Sequence, residues 1–447
     1  MAFTPADELT INSLKRSDIV ATTFGLKPFI DNSCWISTAN QYAHDAIKQI
    51  EDNPPSNAPR KKDLAQYVAA SSVLHANDGW SYLGRSVSSL MSGDAHRALH
   101  LAYYAELRAA MSLLAGQGIG IFNNRHYVIT APNVTAKLNI SKGTHQVVWM
   151  ALEQWSRQPV SGTLFSRLVR PEGITLDDWF APVGGVAALA AQAQDWFMQW
   201  GMDLHFATND RQARNESSYR PDGIPISWEI APTDVLNFVR ELWRVLEPGD
   251  QSSFDEIDRF ILRLTLEKQY AGVSGEAASS GNPRFVNHVN NVVQAQNLAG
   301  SAVPRWRDFL LRHSVPVDPP LFVNSTVKPS GAASDPFAVL SRAALLLRLA
   351  TGSAQDLLSQ AGFNAASLTF WSDSIGASRG LWNPATPPDR LSDLWADIKD
   401  TLSDIDDLEI SNPTAYSTMH SLRYGPAAQL HMLSSHERVG LWGLCPN

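Results

Sequence analysis

Cysteine is nearly absent from this sequence. Its two copies, Cys34 and Cys445, lie near opposite ends of the 447 residues, so they provide neither a disulfide framework nor a four-cysteine zinc site. This usage predicts an intracellular protein. The first residues contain no basic region followed by an apolar run, and we therefore expect no signal peptide and a cytoplasmic location.

Long apolar runs and an excess of positive charge are missing as well. Arg, Gln or Asp interrupts each apolar segment before the roughly 20 residues that a membrane-spanning helix needs, so we expect no membrane partner. Lys and Arg number 36 against 44 Asp and Glu, which gives a net charge of −8. This balance excludes a protein that coats nucleic acid through overall positive charge, but it is compatible with a local basic site.

Several motifs of common enzymes and cofactor sites are missing too. The sequence has no Gly-x-x-x-x-Gly-Lys-Ser/Thr loop and no Gly-x-Ser-x-Gly elbow, which excludes the usual P-loop ATPases and α/β-hydrolases. The glycines of 116–120 follow a predicted helix, whereas a dinucleotide-binding turn follows a strand. His96 and His100 form an i, i+4 pair without a third metal ligand nearby. We therefore expect neither a metal nor another cofactor.

Helical periodicity is what the sequence has in abundance. Apolar residues recur three or four positions apart far more often than they alternate, which predicts a mainly α protein. Hydrophobic residues make up 44% of the chain, enough for a large core. The proline-rich segment 315–335 predicts a boundary between a helical domain over 1–320 and a C-terminal helical unit over 336–447.

The segment 63–116 predicts a helical block with breaks at 77–79 and 92–94, where Asn, Asp and Gly suit turns and caps. After it, 121–129 fits a short strand or an extended loop. The clearest amphipathic helix spans 94–114. Beside its apolar face, it carries four residues three or four positions apart, namely Arg97, His100, Tyr104 and Arg108.

This polar stripe suits a phosphate-bearing ligand. An arginine can bind two phosphate oxygens at once, and a histidine can transfer a proton near neutral pH. The alternative is an ordinary polar helix face that packs against a neighbouring helix.

A second basic cluster lies at the end of a predicted helix that starts at 186 and continues to about 219. If the helix persists that far, one face presents phosphate-binding and polar groups before Pro221 ends it. These residues are Arg211, Arg214, Asn215, Ser218 and Tyr219, with Arg220 beside them. The alternative is a helix C-terminus, where arginines interact favourably with the helix dipole.

The run Ala102-Tyr103-Tyr104-Ala-Glu106-Leu-Arg108, a later long helix and the pattern Arg211…Arg214-Asn215…Tyr219 together resemble HEPN-type α-helical domains, including the YaaC-like kind. The resemblance covers about residues 62–221. It implies a helical HEPN-like core, often dimeric, in a prokaryotic antiviral-defence or toxin-type component that acts on RNA.

In HEPN domains that cut RNA, an arginine holds the scissile phosphate and a histidine four to six positions later assists attack by the 2′-hydroxyl, without a metal. The resemblance therefore implies a metal-independent endoribonuclease. Tyr219, whose side chain ordinarily has a pKa of about 10, stands near the position of that histidine, and His100, His126 or His205 would have to transfer the proton. The implied phosphate-binding and site residues are Arg211, Arg214, Asn215 and Arg220, together with Arg97, Tyr104 and Arg108.

Many HEPN-like domains are non-catalytic and bind partner molecules. The alternative function is therefore a helical scaffold or subunit that docks onto a protein partner or onto a second copy of itself.

Overall fold

The computed structural model describes residues 3–206, 230–328, 335–424 and 428–445. Helices predominate in these residues, and the only strands among them form one small sheet. The prediction of a mainly α fold is confirmed.

Up to residue 206, the α-helices are α1 (Pro5–Asn12), α2 (Arg16–Phe24), α3 (Lys27–Ile30), α4 (Ala46–Asp52), α5 (Ala58–Met91), α6 (Ala95–Ala115), α7 (Thr144–Ser156), α8 (Pro159–Leu168), α9 (Leu176–Phe180), α10 (Gly185–Trp200) and α11 (Met202–Phe206). From residue 230 onward they are α12 (Pro232–Val245), α13 (Asp255–Ser274), α14 (Pro283–Gln294), α15 (Ala302–Leu310), α16 (Pro320–Ser325), α17 (Pro336–Gln360), α18 (Thr369–Arg379), α19 (Leu394–Ser411), α20 (Met419–Tyr424) and α21 (Glu437–Leu444). Short 3₁₀ turns span Pro171–Gly173, Ala181–Val183, Ala365–Leu368, Leu391–Asp393 and Ala428–Ser434.

The long helix α5 runs without interruption through the position of the first predicted break, so the break at 77–79 is wrong. Gly79 is buried in the middle of α5. A Cβ atom on it would lie 2.4 Å from Cδ2 of Leu347 in α17. The glycine therefore permits close packing of two helices and does not make a turn. The second break is confirmed, since α5 ends at Met91 and Asp94 caps α6.

The segment after α6 forms a three-stranded antiparallel sheet in the order β1 (Ile119–Phe122), β2 (Arg125–Ala131) and β3 (Val134–Lys137). Ile119 pairs with Val128, and Tyr127 pairs with Lys137. The strand alternative for 121–129 is thus the correct one. The hairpin loops contain Asn123 at φ 46° and Asn133 at φ 60°, a backbone region that asparagine tolerates better than most residues.

Helix α17 forms the centre of the protein and packs against both α5 and α6. It is the one helix among the described residues that is long and apolar enough to cross a membrane, and 89% of its apolar window is buried inside the protein. This burial is typical of the core helix of a soluble protein. Core residues from before and after the predicted 315–335 boundary belong to one hydrophobic cluster.

The C-terminal residues pack onto α5. Gly440 of α21 lies against Trp80, and Gly443 lies against Phe254 and Thr351. The Trp80 indole donates a hydrogen bond to Thr351 Oγ1 at 2.8 Å, which joins α5 to α17. These contacts hold the last described segment of the chain beside the C-terminal half of α5.

Candidate functional site

A polar cavity of about 460 Å³ lies where the end of α5 and the start of α6 face the C-terminal residues. Arginine and serine dominate its lining, and we call it the arginine–serine cavity. Its charged residues are Arg85, Arg97, Arg379, Arg423, Asp94 and Glu437, and its serines are Ser88, Ser89, Ser92, Ser434 and Ser435. His431 also lines it.

One wall of the cavity comes from consecutive turns of α5. Arg85, Ser88, Ser89 and Ser92 lie three or four positions apart, so the helix presents them on one face. Ser89 and Ser92 donate hydrogen bonds to the carbonyls of Arg85 and Ser88, at 3.0 and 2.8 Å. These bonds fix the positions of both hydroxyl oxygens, so the oxygens line the wall as hydrogen-bond acceptors.

The turn into α6 brings Arg97 to the same wall. Gly93 has φ 78° and reverses the chain after α5, a conformation that costs glycine little. The Asp94 carboxylate then accepts a hydrogen bond from the backbone N–H of Arg97 at 2.9 Å. This cap fixes the first turn of α6 and leaves the Arg97 side chain exposed at the cavity.

The opposite wall is tied to α5 by a short chain of hydrogen bonds. Ser81 of α5 donates to Glu437 Oε1 at 2.8 Å, and Arg379 Nη1 lies 3.4 Å from the same oxygen. At Gly84 the two walls meet directly, because a Cβ atom there would lie 2.2 Å from the carbonyl oxygen of Ser434. The cavity is therefore closed along the line from Ser81 to Gly84.

The cavity is electropositive. Its four arginines face two carboxylates, which leaves two positive charges in excess. Arg379 pairs with Glu437, whereas Arg85, Arg97 and Arg423 form no ion pair with a carboxylate in the described part of the chain. The guanidinium carbon of Arg85 lies 5.7 Å from the Tyr82 ring centroid. Such a placement over an aromatic face leaves a guanidinium's N–H groups available to an anion.

A buried histidine lies directly behind the cavity. The His436 ring is inaccessible to solvent and stacks on Trp243 with 4.4 Å between ring centroids. Burial lowers the pKa of His436 to about 3, so the ring is neutral at physiological pH. The positive charge of the site therefore comes from its arginines, with His431 at the exposed rim.

The structure divides the predicted polar stripe of α6. Arg97 lines the arginine–serine cavity. Tyr104 stacks on Tyr82 of α5 with centroids 5.6 Å apart, and His100 meets Tyr104 edge-on at 4.9 Å. Arg108 lies farther along, where it packs on α5. The stripe does not face one cleft.

Arg108 is engaged by two groups of α5. Its Nη1 donates a hydrogen bond to His75 Nδ1 at 2.8 Å and lies 3.9 Å from Asp78 Oδ2. Burial first, and the Arg108 charge second, lower the pKa of His75 to about 3. The imidazole therefore stays neutral and accepts a hydrogen bond from the guanidinium, which makes this contact part of the α5–α6 interface.

The second basic cluster of the sequence, comprising Arg211, Arg214, Asn215, Ser218, Tyr219 and Arg220, lies outside the described residues. The predicted helix from 186 is interrupted at Gly201, between α10 and α11. A Cβ atom on Gly201 would lie 2.7 Å from Leu152 Cδ2, so close packing against α7 explains the glycine.

The two other histidines considered for proton transfer lie in different places. His126 is buried on β2 and hydrogen-bonds through Nε2 to the Lys142 carbonyl at 2.9 Å. Burial lowers its pKa. His205 of α11 packs on Trp149 with ring centroids 4.9 Å apart. Neither lines the arginine–serine cavity.

Sequence reasoning identified one cavity residue, Arg97, and missed the others. The run Arg85-Ser-Val-Ser88-Ser89 carries a usable signal, since polar residues at helical spacing continue to the end of α5. Arg379, Arg423 and His431 come from separate segments with no shared pattern. In the described part of the chain, no group of three His, Cys, Asp or Glu side chains is arranged to hold a metal ion.

Comparison of the chain with protein-family models, curated proteins and solved structures gives no match.

Proposed function

We propose that the protein binds a phosphate-bearing ligand in the arginine–serine cavity, and that this ligand is RNA or a nucleotide. The observation that supports the proposal is the convergence of Arg85, Arg97 and Arg423 on one cavity, without a carboxylate partner in the described part of the chain. Guanidinium groups bind phosphate oxygens through paired, charge-assisted hydrogen bonds. The hydroxyls of Ser88 and Ser435 add neutral donors beside them, whereas Ser89, Ser92 and Ser434 donate their hydrogens to backbone carbonyls.

The size of the cavity fits this ligand class. Sites for small molecules and cofactors have volumes of roughly 300–1,000 Å³, and the arginine–serine cavity has about 460 Å³. A single nucleotide fits such a volume, whereas a duplex does not. The chain as a whole is acidic, with a net charge of −8, so it repels nucleic acid overall and favours binding at electropositive places such as this cavity.

RNA is preferred over other phosphate compounds because of the HEPN-like sequence pattern. Cleavage by Arg211, Arg214 and Asn215, a role in antiviral defence and a cytoplasmic location stay predictions. The alternative function, a helical scaffold for a protein partner or a second copy, also stays a prediction.

The proposal is tested by measuring the affinity of the purified protein for fluorescently labelled RNA and for a labelled nucleotide. The double variant Arg85→Gln/Arg423→Gln removes two cavity charges at exposed positions. We expect it to lose affinity by about tenfold or more, since hydrogen bonds to charged groups contribute roughly 1.5–3 kcal/mol each. The salt dependence of binding should weaken by about one unit of slope for each arginine removed.

Arg284→Gln is the matched control, because Arg284 is an exposed arginine of α14 that pairs with Glu276 away from the cavity. It should bind like the wild type. Equal affinity of the wild type and the double variant would overturn the proposal. The same mixtures, incubated in EDTA and resolved on a gel, report cleavage, with Arg211→Ala/Arg214→Ala as the comparison.

A further inference from the structure

We infer that the arginine–serine cavity recognises a phosphomonoester, either the terminal phosphate of an RNA strand or that of a free mononucleotide, and excludes a phosphodiester within a strand. The inference rests on the proposed function and specifies its ligand. Two independent features of the cavity, its closed wall and its charge, lead to it.

The first feature is geometric. A strand bound through an internal phosphate must leave the cavity on two sides, whereas a terminal phosphate needs a single opening. The wall is closed where the backbone of α5 at Gly84 meets the Ser434 carbonyl. The hydrogen bond from Ser81 to Glu437 and the ion pair of Glu437 with Arg379 extend the closure. This wall blocks one of the directions in which a strand could leave the cavity, so the geometry favours a terminal phosphate over an internal one.

The second feature is the charge of the site. A phosphodiester carries one negative charge and has two oxygens that do not bridge, whereas a phosphomonoester carries about −1.5 to −2 at pH 7 and presents three acceptor oxygens. The cavity has two positive charges in excess. Three arginines, Arg85, Arg97 and Arg423, have no carboxylate partner in the described ranges. Both the charge and the number of arginines match the monoester.

The position of the three arginines supports the same ligand. Arg85 lies on α5, Arg97 on the first turn of α6 and Arg423 on α20, so they approach from three separate elements. Guanidinium groups from different directions can each bind a different oxygen of one terminal phosphate. An internal phosphate has only two non-bridging oxygens, so at least two of the three guanidinium groups would have to share one of them.

The test uses one RNA oligonucleotide sequence prepared with a 5′-phosphate, with a 3′-phosphate and with hydroxyls at both ends. Each competes at fixed pH 7.5 and fixed salt against a labelled 5′-phosphorylated strand. Adenosine monophosphate and adenosine form a second pair of competitors. We expect at least one phosphorylated strand to bind about tenfold tighter than the hydroxyl-ended strand, and adenosine monophosphate to compete where adenosine does not.

The source of the phosphate follows from the second pair. If adenosine monophosphate competes as strongly as the phosphorylated strand, the ligand is a free mononucleotide. If it competes far more weakly than the strand but still better than adenosine, the ligand is an RNA end. Both results support the inference.

Variants separate this inference from the proposed function. The preference for a phosphorylated end should disappear in Arg85→Gln/Arg423→Gln and persist in Arg284→Gln. If all three strands bind equally well, and the double variant still loses affinity, the proposed function stands and the recognition of an end is wrong. If the wild type binds neither strand nor nucleotide, both are wrong.

Discussion

At the scale of single residues, Glu106 has the most unusual environment. It is fully buried on α6 and faces Asp203 of α11. Asp203 is held by Arg342 of α17 through two hydrogen bonds of 2.6 and 2.9 Å. One guanidinium cannot compensate for two buried carboxylates. Burial first, and the charge of Asp203 second, raise the pKa of Glu106 well above its usual range, so the folded protein favours the protonated form of Glu106.

This assignment predicts the effect of pH on stability. Glu106 binds a proton in the folded protein but is ionised in the unfolded chain above its ordinary pKa, so its contribution to stability falls as the pH rises through and above that value. Glu106→Gln keeps a hydrogen-bond donor and cannot ionise. We expect the variant to be more stable than the wild type at pH 8–9, by about 1 kcal/mol or more, in urea unfolding measured from pH 5 to pH 9.

Glu153→Gln on the surface of α7, where Glu153 pairs with Arg157, provides the control and should leave the pH profile unchanged. Identical profiles for the wild type and Glu106→Gln would show that the Glu106 proton is not taken up on folding.

At the scale of elements, local signals in the sequence predict the ends of a capped helix but not the contacts between helices. The helix predicted over 94–114 is observed as Ala95–Ala115, because Asp94 caps its start and Gly116 follows its end. The break predicted at 77–79 is wrong because Gly79 serves packing against α17, which no local pattern reveals. A glycine in a helical sequence can therefore mark a break or permit close packing, and only the position of the neighbouring element distinguishes the two.

Local sequence signals likewise predict only part of the candidate site. Arg97 was predicted because it belongs to a periodic helix. Arg379 pairs with Glu437 of α21, and the helix α20, which carries Arg423, packs on α5 and α12, so their convergence with Arg97 is a property of the tertiary structure.

Gly84 allows α5 to pack closely against the opposite wall of the arginine–serine cavity. Its Cα is so close to the Ser434 carbonyl that an added Cβ would lie 2.2 Å from that oxygen, and backbone atoms on both sides prevent an easy adjustment. We expect Gly84→Ala to destabilise the protein by about 1–3 kcal/mol, measured by urea unfolding.

Gly272→Ala in α13 is the matched control, because no atom lies within 4 Å of the added Cβ. That variant should be neutral or stabilising by up to about 1 kcal/mol. A Gly84→Ala protein as stable as the wild type would contradict the close contact.

At the scale of the whole molecule, buried ion pairs fix α17 against helices from other parts of the chain. Arg348 donates to both carboxylate oxygens of Asp258 in α13, at 2.8 and 2.6 Å. It also donates to the Leu168 carbonyl at the end of α8, at 2.7 Å. Because Arg348 and Asp258 are almost fully buried, these bonds determine how α17, α13 and α8 fit together.

Removing one partner of this pair should cost far more than removing both. Arg348→Met leaves the Asp258 carboxylate buried without its cation, and we expect a loss of about 3–5 kcal/mol in the free energy of unfolding. Adding Asp258→Asn removes the uncompensated charge but keeps an acceptor for the backbone N–H of Arg170, which bonds to Asp258 Oδ2 at 2.7 Å. The double variant should therefore be more stable than the sum of the single losses predicts.

The measurement is a double-mutant cycle in urea, with Arg157→Met as the control. Arg157 forms an exposed pair with Glu153 at 57% and 31% side-chain exposure, and such pairs contribute at most about 1 kcal/mol. If Arg348→Met costs no more than Arg157→Met, the pair does not hold α17 in place. If its effect adds to that of Asp258→Asn without coupling, each residue acts through other contacts, and the Leu168 carbonyl becomes the partner that matters for Arg348.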